Sequence, residues 1–311
     1  MSGSDGGDAT IINNGAAVEG GYGSRTDFST DSSAGSSTLI ANGGAGELGY
    51  GIIEFDNNSS GGTARVKVFG NGQLWFPYHD GELTLGSIEG DGIVDMGFSS
   101  LKVGANDLNT TFRGTLIGEG PLTKIGKGTL TLRGRNDLHE GLIIRQGRVA
   151  VNNRDGSGTG EGPVRVEEGT LAGNGIIQGE VTIGGVAGRT AALSLGTGAA
   201  RPSTLTIQSG LTFTSDGLYH CDINSNTAAA DEVMAAGMTI DPAATIELGD
   251  TASSILASGA AFTILNNTAA TAIAGTFSNL ADGVTVTVGS NIYRVNYEGG
   301  DGNDLTLTVV P

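Results

Sequence analysis

Gly128-Thr129-Leu130-Thr131-Leu132 alternates threonine with leucine, and that alternation decides the fold. A period of two sends successive side chains to opposite faces of an extended strand, so the leucines share one face and the threonines the other. A helix would need apolar residues three and four apart. The same alternation returns at Val149/Val151, Val164/Val166, Val181/Ile183, Leu205/Ile207 and Val284/Val286/Val288. Glycine-rich turns separate the runs, as in Gly156-Ser-Gly-Thr-Gly-Glu-Gly162 and Gly184-Gly185. Strand, turn and strand without helical spacing is an all-β pattern.

The composition agrees. Of 311 residues, 55 are glycine and only 6 proline. Inside a helix each glycine costs about 0.5–1 kcal/mol relative to alanine, whereas at a sharp turn it is the favoured residue. A fold that turns every few residues carries that load and a helical domain does not. Hydrophobic residues reach 38% and are spread evenly, so the chain has the means to fold. Lys plus Arg number 16 against 33 Asp plus Glu, a formal charge of −17. Such a chain repels phosphate backbones and anionic lipid, which argues against a nucleic-acid or membrane-surface partner. The single cysteine, Cys221, permits no internal disulfide and no cysteine-based metal cluster, and it reads as a small buried side chain. No run of 18 apolar residues predicts a membrane span, and the opening Met1-Ser-Gly-Ser-Asp-Gly-Gly-Asp has no apolar signal-peptide core.

The N-terminal third repeats itself. Asp27-Phe28-Ser-Thr-Asp-Ser-Ser aligns with Glu54-Phe55-Asp-Asn-Asn-Ser-Ser, an offset of 27 residues (55 − 28). Extended runs follow both, Thr38–Ala41 and Ala64–Val68, and Ala9–Asn14 precedes the stretch ending at Asn42 by 28 (42 − 14). Periods of 20–50 residues mark stacked architectures. In the middle third, Leu130, Val149, Val164 and Val181 follow at 19, 15 and 17 residues, which predicts degenerate coils with loops. These spacings divide the chain into glycine-rich solenoid repeats over 1–112, regular coils over 113–210, and terminal coils with a cap over 211–311. Longer strands and a short helix near Asp231–Ala236 are expected in the last part.

A family resemblance rests on the middle third. Gly120-Pro-Leu122-Thr-Lys124-Ile-Gly126-Lys-Gly128-Thr-Leu130-Thr-Leu132-Arg-Gly134-Arg-Asn136 resembles the autotransporter-associated β-strand repeat, continued by Gly147-Arg-Val149-Ala-Val151 and Gly169-Thr-Leu171-Ala-Gly173-Asn-Gly175-Ile176. The end, from Tyr293 to Leu307, is similar to the way such passenger regions finish, and residues 8–112 resemble the repeats found upstream of them. The resemblance implies a right-handed parallel β-helix, or β-solenoid, secreted to or displayed on a bacterial surface as an adhesin or stalk.

Candidate chemistry is sparse. Glu167-Glu168 and Asp231-Glu232 read as solvated charge, because neighbours on a strand point to opposite faces. His79, His139 and His220 form no H-x-x-x-H or H-E-x-x-H pattern and read as surface or turn residues. No catalytic residue and no cofactor is expected. Gly299-Gly-Asp301-Gly-Asn-Asp304 matches one copy of a calcium repeat that works by tandem stacking, so a turn is preferred and Asp301 and Asp304 are only weak calcium candidates. Trp75-Phe76-Pro-Tyr78 is the only aromatic cluster. It reads as a packed turn or end-plug, with Trp75, Phe76 and Tyr78 as a binding patch for a glycan or surface partner in the alternative. The expected function is a non-catalytic extracellular scaffold, adhesin-like segment or passenger. The alternatives are a filament subunit joined end to end with its copies, or a carbohydrate-active β-helix enzyme.

Overall fold

The computed structural model describes residues 3–46, 49–196 and 202–311. The chain is all-β, with no helix among the described residues and with large parallel sheets. It forms two compact units, Met1–Gly162 and Pro163–Pro311.

Three parallel sheets build the first unit. One runs from Thr10–Asn13 through Thr38–Ala41, Arg65–Val68, Ser87–Gly90, Thr110–Phe112 and Thr129–Leu132 to Arg148–Val151. A second runs Arg25–Phe28, Ile52–Phe55, Gln73–Trp75, Ile93–Asp95, Thr115–Gly118 and Asp137–Leu138, and a third Glu82–Leu85, Ser100–Val103, Leu122–Lys124 and Leu142–Ile144. The chain visits the sheets in turn, so each strand pairs with the one about a coil later. The repeat read from the sequence is this pairing: Phe28 lies opposite Phe55 and Asp27 opposite Glu54. The two phenylalanine rings stack at 4.8 Å with 12° between their planes. The 28-residue offset is equally real, with Thr10 opposite Thr38 and the Asn42 Nδ2 donating to the Asn14 Oδ1 at 2.9 Å.

Alternation then fills the interior. In the first sheet Leu39 faces Val66, Val66 faces Ile88, and Leu130 faces Val149. All five are buried, while Thr129 and Thr131 stay half-exposed. Complete burial of such a side chain is worth about 1.5–3 kcal/mol. A single coil has no opposing layer of its own, so this gain arises only on stacking.

Asn136 and Lys124 bond across coils inside the stack. The Asn136 Oδ1 accepts from the Leu116 N–H at 2.9 Å, and its Nδ2 donates to the Gly158 carbonyl at 2.6 Å. Lys124 is 1% exposed, and its Nζ donates to the carbonyls of Ile125, Gly126 and Gln146 at 2.5, 2.8 and 3.2 Å. The turn that offers two of those carbonyls needs Gly126, whose φ is +67° and where a Cβ would collide with the Gly104 carbonyl oxygen.

The second unit has parallel sheets of the same kind. Val164–Val166, Val181–Ile183, Leu211–Phe213 and Met238–Ile240 form one, with Val164 opposite Val181 as their 17-residue spacing (181 − 164) predicts. Gly169–Gly173, Ala191–Ser194, Gly217–Asn224 and Thr245–Asp250 form another. In the third, Ile176–Ile177, Thr204–Ile207, Glu232–Ala235 and Ala261–Asn267 run parallel. Pairing then turns antiparallel: Asp304–Val310 lies between Ala261–Asn267 and Asn291–Gly299, which also pairs Thr285–Val288.

The short helix expected near Asp231–Ala236 is instead the strand Glu232–Ala235. Val233 and Ala235 are buried and face Leu205 and Ile207, so stacking overrides a local composition compatible with a helix.

Candidate functional site

On the second sheet of the first unit, Val94, Leu116 and Leu138 point into the core and are fully buried. Their neighbours must therefore face outward. Asp95 lies opposite Ile117, and Ile117 opposite Asp137. Just beyond the strands come Phe98, Glu119 and His139. Together these residues line a recess of about 270 Å³, in which Gly97 and Gly118 contribute no side chain. Phe98 is 84% exposed and Ile117 40%.

His139 sits among carboxylates. Its Nδ1 is 3.6 Å from Glu119 and 3.5 Å from Glu161, and its Nε2 is 3.6 Å from Asp137. The parallel register collects these groups from successive coils, although 20 residues or more separate Glu119, His139 and Glu161 in sequence. His139 lies at the surface, 44% exposed, and sequence spacing is blind to the carboxylates that stack above and below it. His220 has company too, with Nδ1 3.3 Å from Glu247 and Nε2 3.2 Å from Asp222. His79 is a buried turn residue and not a surface one, its Nε2 donating to the Ser59 carbonyl at 2.7 Å.

The aromatic cluster divides. Phe76 is fully buried, so it takes no part in an exposed patch. Trp75 is half-buried, with Arg25 over its ring at 5.9 Å and Tyr78 against it edge-on at 6.0 Å. Tyr78 is 72% exposed. Trp75 thus offers little free face, and the accessible aromatics of this region are Tyr78 and Phe98. Sequence reasoning missed Phe98 because it stands alone in Met96-Gly97-Phe98-Ser99. Its 20-residue offset from Tyr78 (98 − 78), matching that of Trp75 to Asp95, was the available signal.

The remaining candidates are structural. Glu168 is ion-paired with Arg189. Asp231 is not solvated charge: it is 1% exposed, and its carboxylate accepts from the N–H groups of Ser203 and Asp222 at 2.9 and 3.3 Å. Burial raises its pKa against those hydrogen bonds. Cys221 is buried as expected, and burial pushes its thiol far up.

Asp301 lies in the connection of an antiparallel hairpin, and Asp304 opens its second strand opposite Gly299. Asp304 is 6% exposed and spends its Oδ1 on the Asn267 N–H at 2.9 Å. Its pKa is raised, first by burial and then by nearby Asp301. Asp301 lines a separate cavity of about 400 Å³ beside Asn303. Among the described residues, no group of three or more His, Cys, Asp or Glu side chains is arranged to hold a metal ion. Treating the protein with a calcium chelator is therefore expected to leave its melting temperature within about a degree, whereas a ligand at 100 times its Kd contributes about 2.7 kcal/mol. A drop of several degrees, reversed by added calcium, would make the hairpin a ligand loop.

The chain matches no family model and no curated protein. No helix among the described residues is long and apolar enough to cross a membrane.

Proposed function

We propose that this protein is a non-catalytic extracellular scaffold: a right-handed parallel β-helix that displays its outer faces on a bacterial surface as an adhesin-like passenger segment. The observation that carries this reading is the register of the first unit, where three parallel sheets repeat coil by coil around stacked aliphatic and aromatic side chains. An architecture of this type grows by adding coils and presents a long, regular lateral surface. The antiparallel strands from Ala261 to Val310 serve as the cap in this reading. They place Tyr293 and Tyr297 in the interior, and the Tyr297 hydroxyl donates to the Leu280 carbonyl at 2.9 Å while accepting from the Phe277 N–H.

Two other readings each have an observation in their favour. Thr10–Asn13 pairs only with Thr38–Ala41 among the described strands, leaving one edge for strand addition, as a filament subunit joined to its copies requires. The carboxylates around His139 favour a carbohydrate-active enzyme. Against catalysis stands exposure: the side chains of Glu119, Asp137 and Glu161 are 54%, 64% and 57% exposed, and acid–base chemistry on sugars relies on a carboxyl group shielded from water.

The test is turnover of a polysaccharide panel by the purified protein, with reducing ends and unsaturated products both assayed. No turnover is expected. Product formation abolished by Glu119→Gln or Asp137→Asn would replace the scaffold reading with the enzymatic one. Light scattering over a hundredfold concentration range separates the monomeric scaffold from the filament.

A further inference from the structure

We infer that the recess beside Phe98 is a binding site for a cationic amino-sugar glycan, a chain of glucosamine-type units with free ammonium groups. This rests on the adhesin-like reading above and names the ligand class of that surface.

Three features converge. The first is an aromatic wall. Phe98, at 84%, is the most exposed large hydrophobic side chain among the described residues. No ring contact among those residues occupies it, in contrast to Trp75 beneath Arg25. An aromatic face left in water at the lip of a cavity gains by stacking on the apolar C–H face of a pyranose ring. Ile117, opposite Asp95 one coil on, extends the apolar floor.

The second feature is the shape. At Gly97 an added Cβ would meet Pro77, the residue before Tyr78, so glycine there lets the two turns pack closely. Tyr78 and Phe98 thus stand at equivalent places on successive coils. Coils of a parallel sheet are about 4.8 Å apart. A ligand running along the stack meets these two aromatic positions on successive coils, which suits a chain of repeating rings better than a single compact molecule.

The third feature is charge. Asp95, Glu119 and Asp137 line the recess and Glu161 adjoins it, with His139 as the one basic side chain lining it among the described residues. The chain as a whole carries −17. A uronate or sialylated glycan is repelled here. A neutral sugar gains hydrogen bonds to the carboxylates but leaves their charge unmatched, whereas an ammonium on each ring answers both needs. A lysine-rich peptide shares the charge but has no flat apolar face to lay on Phe98.

The test is calorimetric titration of the full chain with a glucosamine hexamer, its fully N-acetylated counterpart, an oligogalacturonate and hexalysine. The glucosamine hexamer is expected to bind at least tenfold more tightly than the other three. Its affinity is expected to fall at least tenfold in Phe98→Ala and in Glu119→Gln/Asp137→Asn, and to weaken with salt. These side chains are exposed, and unchanged circular dichroism and melting temperature establish that the variants are folded. Equal binding of the acetylated hexamer would overturn the charge argument. Binding of hexalysine as tight as that of glucosamine, or glucosamine binding indifferent to Phe98→Ala, would reduce the site to simple polycation attraction and overturn the proposal, as would no binding at all. Glucosamine-chain cleavage in the same samples would sink the non-catalytic reading while leaving this assignment standing.

Discussion

Replacing Lys124 with methionine is expected to lower the unfolding free energy by about 1–3 kcal/mol, the cost of leaving buried hydrogen-bonding groups without a partner. Methionine fills a similar volume, so the loss comes from three carbonyls, those of Ile125, Gly126 and Gln146, left without the donor that now serves them. Part of that loss is offset, because the ammonium itself is costly to bury. Burial brings its pKa from 10.5 down to about 8, a shift that Asp107 opposes. This depression gives the pH dependence its sign. Between pH 8 and 10.5 the unfolded chain holds a proton that the folded chain has released, so the stability of the parent rises relative to Lys124→Met across that window. Below pH 8 the difference is flat. Urea denaturation of both proteins at pH 7 and pH 10 measures this directly. A gap that narrows at the higher pH, or a methionine variant as stable as the parent at pH 7, would contradict the assigned role.

Phe55→Ala is expected to cost more, about 3–5 kcal/mol, as usual for emptying a phenylalanine site in a packed core. Phe55 is fully buried, and its ring stacks on Phe28 of the preceding coil. Such an aromatic pair adds about 0.5–1.5 kcal/mol beyond area burial. The double variant with Phe28→Ala should therefore be less destabilised than the sum of the single variants, by about the pair energy. The denaturation midpoint is expected to fall; strict additivity would mean that the two rings act independently. Phe55→Leu keeps most of the volume and is expected to lose much less.

Both residues bear on how far the fold is legible in the sequence. Phe28 and Phe55 stand in a visible repeat, and the offset between them is the pairing register itself. The alternation of Leu130 and Leu132 likewise names the inward face. Lys124 is legible only as part of a motif. A lysine between strand residues ordinarily points to water, and its burial depends on carbonyls that one turn of its own coil and one of the next bring together. The strand Glu232–Ala235 escapes a sequence reading for a related reason: its preference is decided by Leu205 and Ile207, far away in sequence.

The candidate site is less legible than the fold. Trp75 and Tyr78 stand out as a cluster, yet the cluster splits between core and surface because residues alternate through it. Phe98, Ile117, Glu119 and His139 are ordinary singly and become a site only by stacking. Recognising them from one sequence requires the register of each coil, and the coils differ in length.

That difference in length has a consequence for how the chain tolerates change. Parallel partners lie 28 residues apart at Thr10 and Thr38 (38 − 10) but 17 apart at Val164 and Val181 (181 − 164), yet alternation survives in both. Segments between strands absorb added or missing residues freely. A single residue inserted within Thr129–Leu132 inverts every side chain after it, exchanging leucine for threonine in the interior. Insertions and deletions should therefore accumulate at exposed bends such as residues 187–188, where Gly188 has open space around it, which also makes such bends natural ports for grafting a foreign epitope onto a regular ladder of backbone.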